Sequence, residues 1–186
     1  MIKIGLDISY NSTGLCIISD DAKPVFYQIC PSEEKHSCST HFDTYHRKYS
    51  DTDDFSTNEI NRVKDAESLA IKLTQIIRKY VPKSKEVEIR IEAPMNMAFV
   101  RRSMKYHNGN DMVVINKIVT LYMLKMQNAT VKCIPVTKIK KAFTGKGNGK
   151  KEHMISTFFE KHFPDFDDTG KIDDIIDAYA LAYCDF

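Results

Sequence analysis

Nowhere in this chain do apolar residues run on for the roughly 18 positions that a membrane-spanning helix requires, which excludes a helical membrane protein. An excess of one charge is missing too. Lys and Arg number 27 against 25 Asp and Glu, a formal net charge of +2. Any attraction to nucleic acid must therefore be local rather than a property of the whole surface. A disulfide framework is absent: Cys16, Cys30, Cys38, Cys133 and Cys184 are odd in number and mostly embedded in apolar segments. That pattern predicts reduced core thiols in a cytosolic compartment. Met1-Ile2-Lys3-Ile4-Gly5 enters a strand-like pattern at once, so no signal peptide is expected. No internal repeat or composition break divides the chain. With 186 residues, 42% hydrophobic and 28% charged, it is too apolar for disorder. One domain over 1–186 with a single sizeable core is expected.

Residues 2–9 alternate as a nearly fully apolar strand, and a turn at Tyr10-Asn11-Ser12 leads to a second strand over 14–19. Asp20-Asp21 makes a hairpin-type turn into a third over 24–30. Three strands with short links predict an antiparallel meander. From about 31 to 58 the chain is polar, rich in Ser, Thr, Asp and His and without period, and reads as a surface insertion. From Glu59 the period becomes helical, with Ala66, Leu69, Ala70, Leu73, Ile76, Ile77 and Tyr80 on one face. Val87–Glu92 is the fourth strand, ended by Pro94. Asn108-Gly109-Asn110 signals a turn, and Asp111 is placed to cap a helix reaching about Gln127. That helix is apolar nearly all round, so it should be covered on every side, by the sheet on one and by a partner subunit on the other. Thr130–Ile134 is a fifth strand. Helices near 137–143 and 150–163 flank a Gly/Lys loop, and a last helix covers about 172–184. The sum is an α/β domain on a five-stranded mixed sheet, three antiparallel strands then two parallel, flanked by helices.

Four acids stand where acids are costly. Asp7 sits inside the apolar first strand, where an unpaired carboxylate costs several kcal/mol. Glu92 closes the fourth strand. Asp174 and Asp177, three apart on the last helix, share a face that Leu181 and Cys184 continue. Singly, each has a plain explanation: a turn cap, a solvated strand end, acids complementing a helix N-terminus. Together, with strands one and four as neighbours and the last helix against them, they require cations. Two Mg²⁺ ions bridging a scissile phosphate are the usual resolution.

Gly5-Leu6-Asp7-Ile8-Ser9, Thr13-Gly14, Ile91-Glu92 and Asp174-Ile175-Ile176-Asp177-Ala178, in this order over nearly the whole chain, resemble the RuvC-type Holliday-junction resolvases of the RNase H-like superfamily. A more specific match is the run Lys140-Lys141-Ala142-Phe143-Thr144-Gly145-Lys146-Gly147-Asn148-Gly149-Lys150-Lys151, ahead of His153-Met154-Ile155. The family carries two lysines at this spacing around a Gly-x-Gly turn. The resemblance puts them at Lys140 and Lys151, assisting at the phosphate. It implies metal ligands Asp7, Glu92, Asp174 and Asp177, holding two Mg²⁺ ions with Mn²⁺ as a substitute. Asp173 also shares a face with Asp177; the Ala-x-Ala-Leu-Ala register after Asp177 favours Asp174 as the ligand. The family's aromatic wedge falls on Phe99, with Met95 and Met97 as alternatives. The insertion at 31–58 and the connection after Glu92 are longer than in compact bacterial members.

The activity implied is metal-dependent nicking of four-way DNA junctions in symmetric pairs. Such a substrate has two-fold symmetry, which implies a homodimer. Helix 111–127 is the expected contact, with Ile118 at its centre. Lys138, Lys140, Lys141, Lys146, Lys150 and Lys151 place six positive charges in fourteen residues around glycine turns, a pattern suited to phosphates. Arg101, Arg102, Lys105, Tyr106 and His107 form a second basic patch with an aromatic inside it. His36, Cys38, His41 and His46 match no standard zinc spacing, and His153 and His162 read as structural. The Lys/Ile/Asn tilt points to an AT-rich genome, viral or phage, and so to a host cytoplasm. Three rivals stand beside this reading. Gly5-Leu6-Asp7 with Thr13-Gly14 also resembles the first phosphate loop of actin-like ATPases, but the chain is short for two lobes. A non-catalytic junction-binding protein is countered by the complete set of acids. A nuclease of the same fold acting on flaps, forks or RNA–DNA hybrids remains, because fold and metal site do not choose the substrate.

Overall fold

The structure, a computed structural model, describes residues 1–9, 11–20, 22–31, 41–45, 55–93, 106–166 and 172–186. In chain order the elements are β1 (Ile2–Asp7), β2 (Thr13–Ile18), β3 (Val25–Pro31), β4 (His41–Tyr45), α1 (Phe55–Tyr80) and β5 (Val87–Glu92). Then come α2 (Tyr106–Leu124), β6 (Ala129–Ile134), α3 (Val136–Thr144), α4 (Lys151–Thr157) with a π-helical turn over Phe158–His162, and α5 (Asp173–Tyr183). They build a mixed sheet in the order β4-β3-β2-β1-β5-β6. The meander β1-β2-β3 is antiparallel and β5 and β6 join β1 in parallel, as the turn signals and helical crossovers predict. No described helix is long and apolar enough to cross a membrane.

The sheet has six strands, not five. His41–Tyr45 pairs in parallel with β3 at the sheet edge, inside the stretch that the sequence marks as an insertion. An edge strand buries little, so it needs few apolar residues; Tyr45 enters the core, and Asp43, two residues earlier on the same face, meets the Lys72 ammonium of α1 at 2.8 Å. Helix α2 also starts earlier than expected and runs through Asn108-Gly109-Asn110. Asn108 falls among the first N–H groups of the helix, which have no intrahelical partner to lose, and Gly109 and Asn110 each cost only about 1 kcal/mol or less in helix propensity.

Strand alternation sorts the sheet into two faces. Ile4 and Leu6 of β1, Leu15 and Ile17 of β2, and Ile89 and Ile91 of β5 pack with α1 and α2 in one core layer. The opposite face meets α5 and, around it, α3, α4 and the π-helical turn, in a second layer rich in aromatic rings. Helix α5 lies flush on that second face because Gly5 and Gly14 lack side chains. A Cβ on Gly5 would come within 1.9 Å of the Ala178 carbonyl oxygen, and one on Gly14 within 1.9 Å of the Asp174 carbonyl oxygen. Only glycine permits so close an approach of helix backbone to strand backbone.

The same alternation puts Glu88, Arg90 and Glu92 on the α5 side. Arg90 is buried, and its Nη1 donates to the carbonyls of Leu181 (3.0 Å), Ala182 (3.4 Å) and Cys184 at the C-terminal end of α5. Its Nε donates to Glu88 at 2.5 Å, and Lys132 meets the other Glu88 oxygen at 2.5 Å. Burial pushes the Glu88 carboxyl up, but hydrogen bonds from Lys132 and Arg90 outweigh it and hold the pKa below the ordinary value. One arginine thus satisfies the orphan carbonyls of α5 and fixes its far end. Replacing Arg90 with Leu strands Glu88 and those carbonyls, so urea unfolding should show a loss of about 3 kcal/mol. A change below about 0.5 kcal/mol would remove the anchoring role.

Helix α2 is not covered on every side. Ile115, Val119 and Met123 enter the core, whereas Leu121 and Leu124 are 50% and 58% exposed. On α1 beside it, Ile60, Val63 and Ile71 are exposed too. Ile118, the residue that the sequence singles out for a subunit contact, packs against this chain's own core.

Candidate functional site

Asp7 ends β1 and Glu92 ends β5, two neighbouring parallel strands, so both lie at the same edge of the sheet. Strand β2 runs antiparallel, and its Gly14 stands opposite Asp7. That glycine lets the Asp174 backbone settle on the sheet beside Asp7. The first turns of α5 thus deliver Asp173, Asp174 and Asp177 to the edge where Asp7 and Glu92 end.

The electrostatics register the crowding. Burial, then Asp177, Glu92, Asp174 and Asp173, push the Asp7 carboxyl well above its ordinary pKa. Burial and then Asp177 carry Glu92 up to about 7, against the charge of Lys140. Asp177 rises to about 6, from burial first, with Lys140 and Lys151 pulling down and Asp174 and Asp173 pushing up. Asp7 thus feels the other four acids, Glu92 feels Asp177, and Asp177 feels Asp174 and Asp173. Among the described residues, no three Asp, Glu, His or Cys side chains already stand close enough to hold an ion together. The carboxylates couple at a distance rather than forming a closed cage.

A cleft next to them is lined by Lys140, Lys151, Met154, Ile155, Asp173, Asp174, Ile176 and Asp177. Lys140 comes from α3 and Lys151 opens α4, so the two lysines reach the cleft from either end of the glycine loop. Gly145 closes α3 with φ at 82°, a left-handed value that favours glycine. Lys151 pairs with Asp173, which raises the ammonium pKa, and Asp174 and Asp177 add to it. Of the other candidate DNA contacts, Lys141, Lys146 and Lys150 are exposed. Lys138 lies on another side of α3, its ammonium 5.9 Å from the centre of the Phe186 ring. His153 caps α4 by accepting the Lys150 N–H at 3.1 Å on Nδ1. His162 stacks on Phe143 and meets the Tyr179 hydroxyl at 3.2 Å, within the aromatic layer. Phe99, Arg101, Arg102, Lys105, Met95, Met97, His36, Cys38 and His46 lie outside the described residues. Tyr106 is the first residue of α2 and His41 the first of β4.

Two supports of the site escape sequence reasoning. Asn116, buried on α2, donates its side-chain amide to the Glu92 carbonyl at 3.3 Å and holds the strand end from the opposite layer. A buried-face Asn directly after the apolar run Met112–Ile115 is the signal that could have pointed to it. The Asp173–Lys151 pair is the other, and it links the first residues of two helices far apart in sequence.

No family model and no curated protein sequence matches this chain. Solved structures do. The Thermus thermophilus RuvC structure superposes with a TM-score of 0.58 at 12% identity, covering 98% of this chain and 91% of that one. T. thermophilus RuvC in complex with Holliday junction substrate gives 0.57 at 10% identity, covering 98% and 90%. At such identities the likeness establishes the fold, RNase H-like in the manner of RuvC, and leaves the chemistry to the residues.

Proposed function

We propose that this chain is a metal-dependent endodeoxyribonuclease that resolves four-way DNA junctions by paired symmetric nicks. The observation that carries the reading is the convergence of Asp7, Glu92, Asp174 and Asp177, from two strand ends and one helix, beside Lys140 and Lys151. The donor set fits a hard divalent cation. All four groups are carboxylates; burial and then neighbouring carboxylates push Asp7, Glu92 and Asp177 up, a cost that Mg²⁺, or Mn²⁺ in its place, would relieve. Two such ions, when bound, would activate a water and stabilise the leaving oxygen. Asp7, Glu92, Asp174 and Asp177 would hold them, with Asp173 engaged elsewhere by Lys151. Lys140 and Lys151 would neutralise charge developing on the phosphate. Lys141, Lys146 and Lys150, with Lys138 to one side, would hold backbone phosphates and position an arm of the junction without reading its sequence. Phe99, Arg101, Arg102, Lys105 and Tyr106 are assigned to the strands near the junction centre on sequence grounds.

Two-fold symmetry of a junction calls for two sites, and the exposed Leu121 and Leu124 on α2 supply a self-complementary apolar face for a homodimer. Changing both to Glu should give a folded monomer by sedimentation that nicks but does not resolve junctions. A dimer that persists in this variant would move the interface elsewhere. Cys16, Cys30 and Cys184 are buried thiols outside any disulfide. They suit a reducing compartment, a host cytoplasm if the genome is viral or phage.

The decisive experiment is cleavage of a labelled synthetic four-way junction in Mg²⁺, beside a flap, a fork, a duplex and an RNA–DNA hybrid. Symmetric paired nicks confined to the junction are expected. Preference for flaps, forks or hybrids would keep the metal site and replace the substrate, and absence of cutting with retained junction binding would leave a binding protein.

A further inference from the structure

Lys151 is not free to meet a phosphate. Its ammonium is paired with the Asp173 carboxylate, and the two side chains are 57% and 16% exposed. Lys151 is the first residue of α4 and Asp173 the first of α5, so the pair spans the cleft between the two helix starts. The charge count says why an acid should be there. Five carboxylates gather at this edge: Asp7, Glu92, Asp173, Asp174 and Asp177. Four match two divalent ions. The fifth is surplus to a metal pair, and it sits on one of the two lysines.

From this, and resting on the nuclease reading above, we propose that Asp173 is a positioning residue that sets how strongly Lys151 engages DNA. It holds the ammonium at the cleft mouth, and an incoming phosphate must displace the carboxylate to be bound. The competition is winnable. A pair with one partner this exposed contributes at most about 1 kcal/mol, and a lysine–phosphate contact is itself charge-assisted. Asp173 therefore weakens generic phosphate binding at Lys151 and leaves it to substrates that several other contacts already hold. A strand merely passing the cleft gains little from Lys151; one seated with its phosphate at the metals captures it.

The test is affinity for a fluorescent four-way junction across a salt series, with Ca²⁺ replacing Mg²⁺ to prevent cutting. Asp173→Asn should bind about three- to fivefold more tightly at low salt. Its salt dependence on plain duplex, titrated alongside, should steepen by about 0.9 in the logarithmic slope, the one phosphate contact that Asp173 denies to a passing strand. In a Lys151→Met background the same substitution should leave the slope unchanged, and Asp173→Glu should restore the parent's behaviour. In Mg²⁺, Asp173→Asn should lower KM for plain duplex more than for the junction, narrowing the preference between them. An equal gain with and without Lys151 would show simple charge removal and overturn the inference, as would an unchanged slope. If the unaltered protein shows no salt-dependent DNA binding, the nuclease reading falls and the inference falls with it.

Discussion

Asp7→Asn is expected to abolish junction cleavage and, at the same time, to make the metal-free protein more stable. Asp7 stands at the meeting point of the site: Asp177, Glu92, Asp174 and Asp173 all raise its pKa, on top of the larger effect of burial. Asparagine keeps the shape and removes the charge. On the proposed reading Asp7 would be a metal ligand, so the rate in Mg²⁺ should fall about a thousandfold or more, equivalent to about 4 kcal/mol of transition-state stabilisation. Without metal the sign reverses, because a partly buried anion among four others is removed. Thermal unfolding in EDTA should show a rise of several degrees, at about 2–4 °C per kcal/mol for a chain of this length. The opposed signs separate a site residue from a fold residue. Cleavage within tenfold of the parent would remove Asp7 from the site, and lower stability in EDTA would make its role structural.

Stability of the metal-free protein should fall as pH rises from about 4 to about 7, the reverse of ordinary acid denaturation. Burial, with Asp177 adding to it, carries Glu92 to about 7 from an ordinary 4.5. Burial carries Asp177 to about 6 from 3.8, with Lys140 opposing it. Both folded values exceed the unfolded ones, so between them the native state binds more protons. The stability this confers is complete below the unfolded pKa values and is lost as pH climbs through 6 and 7. Each group corresponds to about 3 kcal/mol over that window. If the proposed site is right, Mg²⁺ would bind the ionised carboxylates, so it should restore much of the loss at pH 8 and almost nothing at pH 4. Urea midpoints against pH, with and without Mg²⁺, provide the check. Glu88 acts in the opposite direction at the acid end, since its Lys132 and Arg90 partners hold its pKa below the ordinary value. A metal-free midpoint that climbs between pH 4 and 7 would mean that the carboxylates are not coupled as the geometry indicates.

Much of the fold was legible in the chain because strand alternation and helix periodicity are local. Ile4 and Leu6 against Gly5 and Asp7 already separate the two sides of β1. The same local logic exposed the acids, since Asp7 breaks an apolar strand and Asp174 and Asp177 share a helix face. What failed was governed by distant partners. Strand β4 carries no apolar run because an edge strand takes its hydrogen bonds from β3; among its described side chains Tyr45 is the buried one. The Asn-Gly-Asn triplet reads as a turn, yet it lies in the opening turns of α2, because a local preference of about 1 kcal/mol or less per residue yields to the rest of the helix.

The sequence by itself determined the chemistry on offer: oxygen donors in costly positions, lysines flanking glycines, thiols without a framework. It also determined the faces, because a period of two or of 3.6 is a property of neighbouring residues. The tertiary structure gave near-equivalent residues different surroundings. Asp173 and Asp174 are adjacent and alike in sequence, but the Asp174 backbone rests on Gly14 while the Asp173 side chain takes Lys151. Arg90 reads as one more charge on a strand until the end of α5 arrives to be capped by it. The physical reason is common to both: a charge takes its role from the partner it meets, and partners far apart along the chain meet only when the sheet and helices are packed.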